Sequence, residues 1–455
     1  MKIDVLVAEI GSTTTVVNAF DGINDPSPKF LGQGQAPTTV LEGDVNVGLR
    51  NAINDLTNNL NVNSIEYNDL IATSSAAGGL KMTVHGLVYD MTVKAAKEAA
   101  LGAGANIKYI TAGKLRKSDL KKIQEIKPNI ILIAGGVDYG ERDTALYNSE
   151  LIAELDLEIP VIYAGNVENH EEVKELFEGK RTELYIVENV YPKIDELNIE
   201  PTRRVIQDVF EKHIIHAPGM KKVREMVNGP IIPTPGAVME AAKLLYEDIG
   251  DLVVIDVGGA TTDVHSVTEG SEEITRMLIN PEPTAKRTVE GDLGVYVNMQ
   301  NIVELIGKEE LAKELDVSME ELESIINSHA PIPTTDMDIK FTEELTLHAL
   351  LTAVKRHSGR LRHLYGPGGK KTLAEGKDLT NIKYIIGTGG ALTRLPNRVN
   401  MLKEIALSNK GNELLPNKEA EILIDNYYIM ASLGVMSKNY PLAALKLLKE
   451  SLRMC

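Results

Sequence analysis

Two short segments, Glu9–Thr15 (EIGSTTT) and Asp256–Asp263 (DVGGATTD), combine glycine, small hydroxyl side chains and acidic residues in an order suited to phosphate chemistry. Glycine lets backbone approach a ligand closely, and consecutive N–H groups form a concavity that receives phosphate oxygens. Gly11 with the hydroxyls of Ser12, Thr13, Thr14 and Thr15 can line one such surface, and Gly258, Gly259, Thr261 and Thr262 another. Carboxylates do not bind phosphate directly, so Glu9, Asp256 and Asp263 suit a Mg²⁺ ion, its coordinated waters or an attacking water. A third segment, Arg287–Gly294 (RTVEGDLG), offers Arg287 to phosphate charge and Glu290 or Asp292 to water or metal. Either turn alone is equally readable as a tight strand connection. Repetition with flanking acids is what favours a shared ligand.

These residues need strands on both sides of them. Val5–Ile10 is apolar except for Glu9, and Val16–Phe20, broken by Asn18, reads as the returning strand. A dinucleotide fold or Walker loop requires instead a helix after the turn and a G-x-G-x-x-G or G-K-[ST] pattern, and neither is present. The same strand, turn, strand order returns through Leu252–Ile255, Gly258–Thr262 and Val264–Val267, so EIGSTTTVV aligns with DVGGATTDV. Two such units predict a duplication. A second correspondence pairs Ile130–Ala134 and Gly135–Gly136 with Tyr384–Gly387 and Gly389–Gly390, each glycine pair ending a hydrophobic strand. Gly389–Gly390 either brings backbone close to an adenine and ribose or marks a sheet-to-helix crossing. Ser74–Gly79 is either a cleft wall or a close-packed turn.

Apolar strands alternating with amphipathic helices predict an α/β protein whose sheets are covered on both faces. The expected organisation is a first lobe over residues 1–200, a helical connector over 201–250 and a second lobe over 251–455, with ATP held in a cleft between the lobes. Helices are expected at Thr202–Ile214, Lys221–Val227, from Pro233–Gly236 through Tyr246, at Ala420–Val435 with Tyr427 and Tyr428 packing it, and within 441–455.

The chain's 455 residues exceed the ~250–300 at which single cores stop growing. A net charge of −17 opposes nonspecific attraction to nucleic acid and anionic membranes. No run approaches the ~18 apolar residues of a membrane helix. The start MKIDVLVAEIGS enters a strand without a leader pattern, so a cytoplasmic protein is expected. The single cysteine, Cys455, excludes an intrachain disulfide, and the nine histidines, His213 and His216 included, fall into no zinc spacing.

With these motifs in place, the sequence resembles the superfamily of acetate and sugar kinases, heat-shock-70 proteins and actin, which use two duplicated RNase-H-like lobes around ATP. Asp256-x-Gly258-Gly259-x-Thr261-x-Asp263 is similar to its second phosphate loop. Glu9-x-Gly11 with Ser12–Thr15 occupies the first, where many relatives carry aspartate, and Gly387, Gly389 and Gly390 look like its adenosine motif. More narrowly, Ser74–Lys81 (SSAAGGLK), Gly258–Val264 (GGATTDV), Arg287–Gly294 and Gly387–Arg394 (GTGGALTR) resemble blocks of the MutL or GlmL accessory family of glutamate mutase and related cobalamin-dependent aminomutases, unrelated to the mismatch-repair protein of the same name. This resemblance implies an ATP-dependent reactivating factor or chaperone, a slow Mg²⁺-dependent ATPase whose partner is an aminomutase subunit. Cobalamin is expected on that partner, since no D-x-H-x-x-G block is present here. The alternatives are a nucleotide-regulated scaffold without hydrolysis and a small-molecule kinase.

Overall fold

The computed structural model describes residues 1–11, 14–39, 44–75, 80–213, 220–229, 231–366, 369–409 and 411–454. Ser12, Thr13, the Ala76–Gly79 part of SSAAGGLK, His216 and Cys455 lie outside the described residues. Two compact units divide the chain: Met1–Ala241 with Ala431–Leu447, and Ala242–Met430 with Leu448–Cys455.

The first unit is built on a five-stranded sheet of order β10-β4-β1-β2-β3. Its strands are β1 (Lys2–Ile10), β2 (Thr14–Asp21), β3 (Lys29–Pro37), β4 (Glu66–Ser74) and β10 (Ile231–Pro233). β1 runs antiparallel to β2, β2 antiparallel to β3, and β4 parallel to both β1 and β10. As the centre of the sheet, β1 is apolar on both faces, and Val5, Leu6, Val7, Ala8 and Ile10 are fully buried.

Between β4 and β10 the chain inserts a second, wholly parallel sheet of order β6-β5-β7-β8-β9. It comprises β5 (Leu80–Gly86), β6 (Ala105–Ala112), β7 (Ile130–Ile133), β8 (Val161–Tyr163) and β9 (Leu184–Ile186), joined by helices such as Lys117–Ile126 and Asp143–Glu154. Such crossover connections are what parallel pairing requires.

In the second unit, β11 (Leu252–Val257), β12 (Thr262–Val267), β13 (Ala285–Glu290), β16 (Tyr384–Thr388) and β17 (Glu421–Ile424) form a sheet of order β13-β12-β11-β16-β17. Counted from β17, its order and strand directions repeat those of the first sheet counted from β10. A separate hairpin, β14 (Arg360–Gly366) and β15 (Gly369–Glu375), stands outside it. Helix Asp336–His357 packs on this sheet through Phe341, Leu345, Ala349, Leu350 and Ala353, all fully buried.

Register corrects one expected correspondence. Thr388 pairs with Asp256 as Thr73 pairs with Glu9. The counterpart of Gly389–Gly390 is therefore Ser74–Ser75 at the end of β4. Gly135–Gly136 follows β7, in a different sheet. The expected helix Ala420–Val435 is also corrected. Its first part, Glu421–Ile424, is strand β17, and the helix runs only from Met430 to Met436. The physical reason is Asp425, whose carboxylate accepts from the N–H groups of Ile429 (3.2 Å) and Met430 (3.0 Å), starting the helix there. Tyr427 and Tyr428 stand in the intervening turn, Tyr428 with φ +53°.

Helix Met430–Met436 meets helix Thr234–Ile249 at a close crossing within the first unit. A Cβ at Gly434 would overlap the backbone carbonyl of Ala237. Substitution Gly434→Ala must push the helices apart, and the expected cost is about 1–3 kcal/mol, read as a lower urea midpoint with an unchanged slope.

The inserted sheet buries His85, whose Nδ1 is 2.8 Å from Thr111 Oγ1 and Nε2 3.0 Å from Thr83 Oγ1. Burial lowers its pKa to about 4, against a smaller opposing pull from Asp119. The unfolded ring takes up a proton near ~6.5, while the folded ring stays neutral until about 4. Its contribution to stability is thus complete above the unfolded value and falls as pH drops through that window. Ring chemical shifts of His85 are expected to titrate near 4, and a midpoint near 6.5 would contradict the burial argument.

Candidate nucleotide-binding site

In the second unit the turn between β11 and β12 closes with Gly258 N–H donating to Thr261 O at 2.9 Å. Its shape is set by the segment that follows β13. Val295 N–H donates to Gly258 O (3.2 Å), and Tyr296 and Val297 N–H donate to Gly259 O (2.9 and 2.7 Å). Asn298 Nδ2 reaches Ala260 O at 2.7 Å and Gly291 O at 2.9 Å. Gly294 lies so close that a Cβ there would overlap Ala260's backbone. The carbonyls of the turn are thereby used up from behind. Among the described residues, the exposed N–H groups of Gly259 and Ala260 have no hydrogen-bond partner. That is the polarity a phosphate needs.

Asp256 sits half-exposed at the end of β11, in register with Asp263 on β12 and Thr388 on β16. Gly389 follows with φ +84°, and a Cβ there would run into Asp256 Oδ1 and the backbone of Val257. A Cβ at Gly390 meets nothing within 4 Å, so open space borders this glycine. Gly387, by contrast, packs against Leu402, Ile424 and Leu392, and its place is structural. The structure thus gathers Asp256, Gly258, Gly259, Thr261, Gly389 and Gly390. Thr262 is fully buried and its hydroxyl donates to Leu293 O at 2.6 Å, turning away from that group.

The other charged candidates are engaged inside the unit. Asp263 and Arg287 are 6% and 3% exposed. Arg287 donates to Asp263 Oδ1 from Nε (3.0 Å) and from a terminal nitrogen (2.6 Å), while Thr261 Oγ1 donates to Oδ2 (3.1 Å). Arg287, expected at phosphate, instead neutralises Asp263. Glu290 and Asp292 both receive Arg356, at 2.6 Å and at 2.8 and 3.0 Å. Arg356's hydrogen bond holds the Asp292 carboxyl below its ordinary pKa against the opposing effect of burial. On the same strand as Asp263, His265 is fully buried, with both ring nitrogens unpartnered among the described residues. Burial first, and Arg287 second, hold its pKa well below the ordinary value.

In the first unit Gly11 N–H donates to Thr14 O at 3.0 Å, as Gly258 N–H does to Thr261 O. Thr14 is exposed, whereas Thr15 is buried with Oγ1 2.8 Å from Thr38 Oγ1. Glu9 is 8% exposed. Ser432 Oγ donates to it at 2.5 Å and Asn18 Nδ2 at 3.4 Å, while Gln33 supports Asn18 at 2.9 Å. Opposite Glu9 stands Val16, where the second unit has Asp263 opposite Asp256.

Arg356, Asn298, Ser432 and Asp425 escaped the sequence reading. Asp425 is fully buried, and burial raises its pKa although Ser451 Oγ (2.6 Å), Thr388 Oγ1 (3.0 Å) and the two helix N–H groups donate to it. A signal existed, since EILID at 421–425 repeats the LVVID of 252–256. Arg356 and Ser432 lie in helices far along the chain, with no local motif.

The match to known families is decisive at this point: residues 5–452 fit the family model described as MutL protein. The chain belongs to the MutL protein family. It is 36% identical to Protein MutL of Clostridium tetanomorphum over 98% of both chains. Among solved structures, this MutL-family chain overlaps a nucleotide-free acetone carboxylase at TM-score 0.43 and 14% identity, covering 96% of this chain and 70% of that one. A nucleotide-free diol dehydratase-reactivating factor overlaps at TM-score 0.36 and 11% identity, covering 99% of each. The family assignment rests on the sequence matches. Among the described residues, no helix is long and apolar enough to cross a membrane.

The pair at Asp263 has a measurable consequence. Asp263→Asn removes the negative charge that the buried Arg287 guanidinium faces at 2.6 Å, and loss of one member of a buried ion pair costs about 3–5 kcal/mol. Thermal denaturation is expected to show a large loss for Asp263→Asn, substantially recovered in Asp263→Leu/Arg287→Met. Asp256→Asn, at a half-exposed position, is expected to change the midpoint far less.

Proposed function

We propose that this MutL-family chain is an ATP-dependent reactivating factor for an adenosylcobalamin-dependent aminomutase such as glutamate mutase. The observation that carries the nucleotide part is the β11–β12 turn, with the N–H groups of the exposed Gly259 and Ala260 unpartnered among the described residues, near Asp256 and the open backbone at Gly390. On this reading the two sheets of equal strand order are duplicated RNase-H-like lobes of the superfamily that includes actin and the sugar kinases. Residues 201–250 then contribute the first lobe's last strand, β10, and the helix leading onward.

The residues present suit Mg–ATP. Gly258, Gly259 and Thr261 would hold phosphate oxygens, Gly389 and Gly390 would admit the nucleoside, and Asp256 would hold the metal through its waters. Gly11 and the exposed Thr14 offer a second candidate phosphate contact. When bound, Mg²⁺ neutralises charge on the transferring phosphoryl group. The chain's own share is to fix the turn by Val295–Asn298, to orient Asp256 against Gly389 and to keep Asp263 in place through Arg287. Family membership supports the client: the blocks GGATTDV, RTVEGDLG and GTGGALTR resemble those of the accessory family of cobalamin-dependent aminomutases. Cobalamin stays on that client.

The arginines on Asp263, Glu290 and Asp292 favour one second reading, a nucleotide-regulated scaffold that binds ATP without turnover. Calorimetry is expected to show one Mg–ATP per chain, weakened at least about tenfold by Gly259→Asp, which sets a charge against phosphate. An inactivated cognate aminomutase is expected to regain activity only with this protein, ATP and free adenosylcobalamin together. Recovery without the protein rejects the client role. Multiple-turnover phosphate release separates the reactivating ATPase from the scaffold.

A further inference from the structure

Away from the nucleotide site, two helices of the second unit bring metal-type ligands together. Helix Lys308–Leu315 carries Glu314, and helix Asp336–His357 carries Glu344 and His348 one turn apart. Residues four apart share a helix face. One carboxylate oxygen each from Glu314 and Glu344 and one ring nitrogen of His348 all lie within 4.8 Å of one another. His348 Nε2 is 3.6 Å from Glu314 Oε2. The scaffold beneath is rigid, since Leu311 and Leu315 of one helix and Leu345 and Ala349 of the other belong to the same buried core.

Charge points the same way as geometry. Among the described residues no lysine or arginine forms an ion pair with Glu314 or Glu344. The half-buried Glu344 carboxylate faces the exposed Glu314 with no lysine or arginine among the described residues paired to either, an arrangement that a dication stabilises.

We propose that Glu314, Glu344 and His348 form a binding site for a divalent transition-metal ion, distinct from any Mg²⁺ held with nucleotide. An imidazole nitrogen selects zinc, cobalt or nickel over magnesium and calcium, which take oxygen ligands. Two carboxylates balance the ion's charge, and three protein ligands leave a coordination position for water. The bound ion ties helix Lys308–Leu315 to helix Asp336–His357. No H-E-x-x-H spacing announces the site, because Glu314 comes from a different helix.

The test uses the full-length protein after chelator treatment, titrated calorimetrically with ZnCl₂ near neutral pH. Saturable binding of one ion per chain at this site is expected, weakened at least about tenfold in His348→Ala and in Glu344→Gln. The exposed His363→Ala variant is expected to bind like the wild type, and MgCl₂ is expected to give no saturable heat. Absence of saturable Zn²⁺ binding, or unchanged affinity in both ligand variants, overturns the proposal. If either ligand variant proves unfolded by circular dichroism, the visible spectrum of bound Co²⁺ decides. Glu314→Gln, changed at an exposed position, must alter that spectrum, and an identical spectrum also overturns it.

Discussion

Asp256 can stand at the mouth of the β11–β12 turn because position 389 has no side chain. The parallel pairing of β11 with β16 brings the start of the helix after β16 directly against the end of β11, and only a glycine in the left-handed region leaves room for a carboxylate there. That single accommodation fixes where the acid points. The turn beyond it is then shaped by a different segment, Val295–Asn298, which takes its carbonyls and leaves the N–H groups of Gly259 and Ala260 without a hydrogen-bond partner among the described residues. A turn so built owes little of its shape to side chains. It depends on backbone polarity, which the strand register supplies.

Two sheets of the same order have been furnished with different chemistry. In the first, Asn18 and Gln33 make a neutral network around Glu9, and Val16 stands opposite the acid. In the second, the matching cross-strand positions hold His265 and Arg287, and Asp263 stands opposite Asp256. A carboxylate and a guanidinium buried together stabilise each other's charge, and losing either removes the opposite charge that the other faces. The second sheet is therefore the one whose charge arrangement cannot be changed piecemeal. Glu9, hydrogen-bonded to Ser432 and nearly buried, has become part of its unit's packing.

What the sequence made legible is local. The hairpins could be read because an apolar strand, a glycine turn and a returning apolar strand are neighbours in the chain. Long-range register left no such mark. Gly135–Gly136 looked like the partner of Gly389–Gly390 because both end apolar strands, yet they belong to sheets of different order. Only the pairing of Thr73 with Glu9 identifies Ser74–Ser75 as the equivalent position. Residues 420–435 failed for another reason: a four-residue apolar strand and a seven-residue helix, joined by a short turn, together imitate one helical stretch.

The same limit governs the charged candidates. Residue type announced that Arg287, Glu290 and Asp292 carry charge, but their work is decided by partners 24 to 66 positions away, Asp263 and Arg356. Arg356 comes from the last turn of the helix that also covers the sheet, so the packing that builds the core delivers the cation that holds the RTVEGDLG segment. Holding that segment in turn holds Gly294 against Ala260. The acids of this segment are therefore engaged by Arg356 and its Arg287 by Asp263, and their structural work is to hold the backbone behind the β11–β12 turn.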